Sequence, residues 1–355
     1  MSLSQENEDL KEEALPTLYG APEGYDAFVL AERARECAKE KRVVIHVALD
    51  DRRIETLKGV LDFFASDVDV AIFPAWDCLP YDRVSPHSDI VARRVQALSQ
   101  CLGWTEDGKY LPRIVLTTVN AVTQKVMPAE TLKRLKLEAQ KGGEINHDQL
   151  RIFLTQNGYS RTDTVREPGE YSIRGGIIDL FPPGYAEPLR IDTFGDEIES
   201  IRTFDPLLQT STGGIEKFSL LPAAEFELSE DAISRFRSAY RDIFNTTGHN
   251  DPLYEAVSEG RRYNGMEHWL PLFHESMETV FDYVPGRSLS FDLHAPQSRE
   301  DRMDQIEDFY QARQTLEKSG TGKENKKADV SLSGSVYHPL SPDYLYLSES
   351  QWNSL

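Results

Sequence analysis

Arginines, rather than nucleophiles or metal ligands, dominate the part of this sequence whose residue types and spacing could do chemistry. Arg161, Arg166, Arg174 and Arg190 fall within Tyr159–Asp192, a stretch without lysine that also holds Asp163, Glu167, Glu170, Asp179, Glu187 and Asp192. A track for nucleic acid would be basic outright, so cations outnumbered by carboxylates argue against one. The balance suits a mixed-charge protein interface, where the rigid donor fork of arginine is favoured. Period-two alternation puts Ser172 and Arg174 on one face of a strand, and Arg190 and Asp192 together on one face of the next. Exposed ion pairs of small energetic worth are the competing account of the same residues.

Other chemistries find less support. Gly20–Asp26 sits before a helix, where a phosphate-binding loop would lie, but such a loop needs a lysine and a Ser/Thr hydroxyl. Here Gly20 and Gly24 lead into Tyr25 and Asp26, and the acids of this loop oppose phosphate. Gly320-Thr321-Gly322-Lys323 has no preceding strand and continues into Glu324, so a solvated loop is expected. The eight histidines are scattered without an HExxH pattern, and Cys37, Cys78 and Cys101 form no CxxC pair. Neither a metal nor a cofactor is expected, and no GxSxG elbow offers a serine nucleophile.

The elements that must position these residues change character along the chain. Helices at 26–42, 51–65 and 86–102, the last with Ser85 as N-cap and Pro86 at its first position, alternate with strands at 43–49, 69–73 and 114–119. That alternation predicts a parallel sheet with covered faces. Past Pro128 the spacing predicts helices at 130–141 and 148–157, then a strand region 165–181 that bends at Glu167–Glu170. A hairpin follows over 189–204, turning at Gly195-Asp196. Helix 230–244, strands 278–283 and 288–293, and a charged, solvated helix 299–318 carrying Arg313 come next, with a mobile loop at 319–329. The expected organisation is a tail at 1–15, a discontinuous α/β domain from 16–125 and 215–355, and an inserted α+β domain at 126–214.

With 355 residues and a net charge of −20, the chain has room for two or three packed domains and opposes a general nucleic-acid coat. Its acidic start is no signal peptide, and no apolar run approaches the roughly 18 residues of a membrane span. Scattered thiols fit a reducing cytoplasm.

Arg166-Glu-Pro-Gly-Glu-Tyr-Ser-Ile-Arg-Gly-Gly-Ile-Ile-Asp-Leu-Phe-Pro182, followed by Phe194-Gly-Asp-Glu-Ile-Glu-Ser-Ile-Arg-Thr-Phe-Asp205, resembles the N-terminal UvrB-like module of the bacterial transcription-repair coupling factors, the Mfd family. Phe73–Asp82, Leu221–Phe226 and Gly265–Phe273 add stretches in the family's order. UvrB itself shares the first motif, but it has a complete phosphate loop where this chain has Gly20–Asp26. It also has a DNA-clamping hairpin at the region matching Asp77–Asp89, for which Tyr81–Ser85 leaves no room.

The resemblance implies a degenerate RecA/helicase-like parallel-sheet domain interrupted by a UvrA-binding domain. It implies a non-enzymatic module that recruits UvrA to stalled RNA polymerase in the cytoplasm. A UvrB-like, ATP-dependent DNA-loading subunit is the alternative. It assigns UvrA contacts to Arg161, Arg174, Arg190 and Asp192, leaves Phe181 either as an apolar contributor or buried under the sheet, and places Ser172 where UvrB has a further arginine. The chain is then expected to be an N-terminal fragment whose parent meets RNA polymerase and double-stranded DNA through other parts.

Overall fold

In a computed structural model, residues 17–320 and 337–354 are described, apart from 21, 23, 247, 249, 250 and 285. The expected tail at 1–15, and the loop at 319–329 beyond Gly320, lie outside them. The first third alternates as expected: α1 (Tyr25–Lys39), β1 (Val43–Ala48), α2 (Asp51–Phe64), β2 (Asp69–Phe73), α3 (Ser88–Glu106), β3 (Arg113–Thr118) and the short α4 (Val119–Val122). Asp50 caps α2 by accepting from the Arg53 amide at 2.8 Å, and Ile54, Leu57 and Leu61 turn its apolar side inward. β1 and β3 are buried and rich in β-branched residues, and with the half-buried edge strand β2 they pair in parallel.

The sheet is completed from far along the chain. β4 (Leu137–Gln140) to β11 (Lys217–Leu220) build other sheets, and β12 (Arg287–Phe291) returns to pair in parallel with β1, giving the order β12-β1-β3-β2. One core lies under α1 and α2, around Leu30, Ala34, Ile54 and Leu116. The other face packs on α3 and on Val280, Phe281 and Tyr283.

Between these flanks stand α5 (Ala129–Arg134), β4, α6 (His147–Gln156), β5 (Ser160–Arg161), β6 (Glu170–Arg174), β7 (Ile177–Leu180), β8 (Leu189–Phe194), β9 (Glu197–Phe204), β10 (Ser211–Gly214) and β11. β5 to β10 form a six-stranded sheet in order, antiparallel except for the β5–β6 pair. The chain ends with α7 (Glu230–Phe244), α8 (Pro252–Ser258), α9 (Ala295–Gly320), α10 (Pro342–Leu345) and α11 (Glu349–Asn353). The mixed architecture, a parallel α/β sheet with an antiparallel α+β unit between its strands, is the expected one.

Several local expectations are corrected. Helix α3 begins at Ser88 with His87 as its N-cap, because the Ser85 hydroxyl is engaged elsewhere: it donates to Glu267 and accepts from the Gly265 amide. The helix expected over 130–141 stops at Arg134, and Leu137–Gln140 becomes a strand on Lys217–Leu220. The chain does turn at Glu167–Glu170, but the reversal between paired strands falls at Gly175-Gly176. Gly175 has φ +61°, and a Cβ on Gly176 would lie 2.5 Å from the Thr193 carbonyl oxygen. Only glycine allows that approach. Glu278 makes a lone bridge to Val126 and 279–283 is no strand; its apolar residues serve the core instead. The charged helix α9 is not merely solvated, since Ile306 is fully buried. Its Arg313 donates to the Tyr81 carbonyl at 2.8 Å and stacks on Tyr337, so it is no bystander.

Candidate functional site

The six-stranded sheet sorts its side chains by face. Inward, Ile173, Ile178, Ile191 and Ile201 align across four strands and close the core with Tyr171, Leu180 and Leu189. Outward, the same registers align Ser172, Asp179, Arg190 and Arg202 in one row, and Arg174, Ile177, Asp192 and Ser200 in the next. The four outward residues read from alternation therefore share one surface.

Asp179 organises that surface. Its carboxylate is 1% exposed and accepts from Arg190 Nε at 2.6 Å, Arg190 Nη2 at 2.9 Å and Arg174 Nη2 at 2.8 Å. The two arginines are not equivalent. The Arg190 side chain is 19% exposed and lies over the Phe204 ring; its carboxylate partner raises its pKa, with burial opposing. Arg174, 57% exposed, keeps most of its guanidinium in solvent. Asp192 accepts from Ser200 and pairs with Arg202. Arg161, on the edge strand, is exposed and has no ion pair among the described residues.

Of the two places expected for Phe181, the structure shows the buried one. It is buried against Val165 and Phe204, where it supports the sheet and presents little to a partner. Asp179 and Arg202 were not singled out from sequence, although a two-residue turn at Gly175-Gly176 pairs 174 with 177 and 172 with 179. Recognising that turn would have placed Asp179 among the arginines.

At the other candidate locus, Gly24 (φ +84°) precedes α1 without a side-chain cap. Asp26 fills the helix start: one oxygen accepts from the Ala27 amide at 2.9 Å and the other pairs with Arg53. Arg53 also reaches Asp292 at 3.4 Å. Burial pushes the Asp292 carboxyl up, but hydrogen bonds from His46 and the Leu49 amide, with the charges of His46 and Arg53, hold it below its usual value. Of the expected loop residues Gly20, Gly24, Tyr25 and Asp26, the last thus carries a carboxylate already paired with an arginine.

Among the described residues no three His, Cys, Asp or Glu converge to hold a metal ion. Burial pushes the thiols of Cys78 and Cys101 up to about 12, which leaves them protonated near neutrality. No helix among the described residues is long and apolar enough to cross a membrane.

The arginine face lies inside a segment that resembles a known family. Residues 137–226 match the family described as UvrB interaction domain. The transcription-repair-coupling factor of Haemophilus influenzae is 35% identical over 333 residues, 93% of this chain and 26% of that protein. Those of Escherichia coli and Myxococcus xanthus are 40% and 34% identical, covering 60% and 68% of this chain but only 18% and 21% of their own lengths. The chain spans about a quarter or less of the relatives it matches. It carries a UvrB interaction domain within a sequence similar, over most of its length, to transcription-repair-coupling factors.

Proposed function

We propose that this chain acts as the UvrB-like module of a transcription-repair-coupling factor and recruits UvrA, in the cytoplasm, through the outer face of its six-stranded sheet. The observation that carries this reading is the row geometry around Asp179. It holds arginine donors on a flat surface, with Arg174 half in solvent and Arg161 at the sheet edge. Such a preformed, partly satisfied array favours a partner carrying carboxylates, because the ordering cost is already met within the fold. Arg161, Arg174 and Asp192 are assigned to direct contact. Arg190 is assigned chiefly to holding Asp179, and the buried Ser172, standing where UvrB has a further arginine, reshapes the contact at that position.

The division into a discontinuous α/β domain (expected at 16–125 and 215–355) and an inserted domain (expected at 126–214) belongs to the same proposal, with β11 joining the inserted unit because it pairs with β4, as does the absence of catalysis. The loop at Gly20–Asp26 supplies neither lysine nor a Ser/Thr hydroxyl, and Asp26 with its partner Arg53 occupies the start of α1, where phosphate would seat. That arrangement counts against an ATP-dependent DNA-loading subunit. Contacts to RNA polymerase and double-stranded DNA are proposed to reside in parts of a longer parent.

Binding of purified UvrA to this chain tests the reading. Arg174→Ala should weaken the complex by about 2–4 kcal/mol if the guanidinium is desolvated against a carboxylate. Combined with Arg161→Ala it should lose more, though not additively. Equal affinity of wild type and the double variant, with unchanged circular dichroism, would place the recruitment surface elsewhere.

A further inference from the structure

We propose that a cavity at the N-terminal edge of the parallel sheet, remote from the arginine face, binds an apolar group bearing a carboxylate. The cavity, of about 200 Å³, lies where α1 ends and β1, β3 and β12 begin. Its inner wall is apolar, formed by buried Cys101, Trp104 and Val284, while Lys41, Arg42, Lys109 and Arg113 line the rest with Tyr110. In a chain of net charge −20, four cations around one small cavity stand out. Arg42 pairs with Glu40 and Arg113 with Asp107. Lys41 forms no ion pair among the described residues and lies 4.7 Å over the Tyr110 ring, while the Lys109 amide donates to the Asp107 carboxylate at 2.8 Å.

The backbone at Lys41 supplies a second, independent observation. Helix α1 ends in a Schellman turn: the Arg42 amide donates to the Cys37 carbonyl at 2.8 Å and the Lys41 amide to the Ala38 carbonyl at 3.1 Å. The residue between, Lys41, has φ +60°. That position favours glycine, because a Cβ is strained in the left-handed region. A lysine held there at a cost to the fold, with its ammonium on an aromatic ring at the rim of a cavity, marks a group retained for what it contacts. An apolar wall about the size of a phenyl ring, with the ammonium of Lys41 unpaired beside it, fits a hydrophobic group carrying one carboxylate. The tip of an acidic peptide has this chemistry.

The test uses 3-phenylpropionate as probe and 3-phenylpropan-1-ol as its neutral counterpart. The readout is the indole N–H resonance of Trp104, assigned through Trp104→Phe and set apart by its 2.6 Å hydrogen bond to Asp69. The carboxylate should shift this resonance saturably at millimolar concentration, and the alcohol should bind at least about fivefold more weakly. Lys41→Gly should leave the melting temperature unchanged or raised, yet weaken the carboxylate at least about fivefold, and Lys109→Gln should weaken it as well. An unsaturable shift, equal affinity for the alcohol, or Lys41→Gly binding like wild type would overturn the proposal. A lower melting temperature for Lys41→Gly would also overturn it, by showing that Lys41 serves the fold.

Discussion

Asp179 and Arg190 face one another across β7 and β8, and two hydrogen bonds of 2.6 and 2.9 Å join them on the outward side of the sheet. Because Asp179 is buried and also holds Arg174, both arginines satisfy its carboxylate. The pair therefore divides the arginine face into a member that supports the sheet and a member that reaches outward.

That division predicts different consequences for two like substitutions. Arg190→Ala uncovers Phe204 and leaves Asp179 with one exposed partner, so it should cost about 1–3 kcal/mol of stability. Arg174→Ala removes a largely solvated side chain and should cost less than about 1 kcal/mol. Urea titrations of both variants measure the contrast. Arg151→Ala, whose partner is the neighbouring exposed Asp148 on α6, is the neutral control. Equal destabilisation by the two substitutions would remove the distinction drawn here.

The outward placement of Ser172, Arg174, Arg190 and Asp192 was legible because a strand alternates faces whatever its neighbours do. The glycine-led turn at 195–196 was legible for a similar, local reason. Asp179 was not, since its role arises from cross-strand register, which a misplaced reversal hides. Leu137–Gln140 reads as the continuation of a helix until its partner, Lys217–Leu220, is known, and that partner lies far along the chain. Phe181 shares its composition with exposed interface aromatics, and only packing on Val165 and Phe204 decides its place. Arg313 sits in a run of charges that reads as solvated, yet its partners come from Tyr81 and Tyr337, far away in sequence.

Titration with ATP and magnesium should give no saturable heat at micromolar concentration. Arg53 of α2, which reaches the start of α1, is already paired with Asp26 there and lies 3.4 Å from Asp292. Arg53→Ala should not create binding, since the lysine and hydroxyl of a phosphate loop remain missing. A micromolar dissociation constant for wild type in calorimetry would restore the loading-subunit reading.

His268 predicts an acid sensitivity. Burial lowers its pKa to about 4, with Asp82 opposing and Arg313 adding to the fall. Above about pH 6.5 the imidazole is neutral whether the chain is folded or not, so it makes no difference to stability. Between about 6.5 and 4 the unfolded chain takes up a proton that the fold refuses, and stability should fall by about 3 kcal/mol. His268→Phe keeps a ring against Trp76 and Tyr81 and should flatten that part of the profile. Parallel pH dependences for variant and wild type, from denaturation midpoints at pH 7, 6, 5 and 4.5, would contradict this assignment.

The junction between the two sheets rests on a buried ion pair, and it gives the last prediction. Arg94 on α3 and Glu225, five residues past the end of β11, are each within 2% of full burial and pair directly. Arg94 also donates to the Pro74 carbonyl at 2.7 Å and lies over the Phe73 ring, while Trp76 donates to Glu225 at 3.3 Å. The His274 ring contacts the Glu225 carbonyl at 2.9 Å, so groups from three parts of the chain converge on one glutamate. Removing one partner strands the other charge away from water, which is far more costly than losing the attraction alone. Arg94→Met should therefore destabilise by about 3–5 kcal/mol, and Glu225→Gln in the same chain should recover part of that loss. Because Glu225 lies in the segment that leads out of the antiparallel unit, the single variant should also loosen that unit from α3. Its thermal unfolding should broaden or split, with the region of α6 and β5–β10 gaining amide exchange separately from β1–β3. Unfolding of Arg94→Met in one sharp transition, with stability within about 1 kcal/mol of wild type, would mean that packing around Phe73 and Trp76 holds the junction without the ion pair.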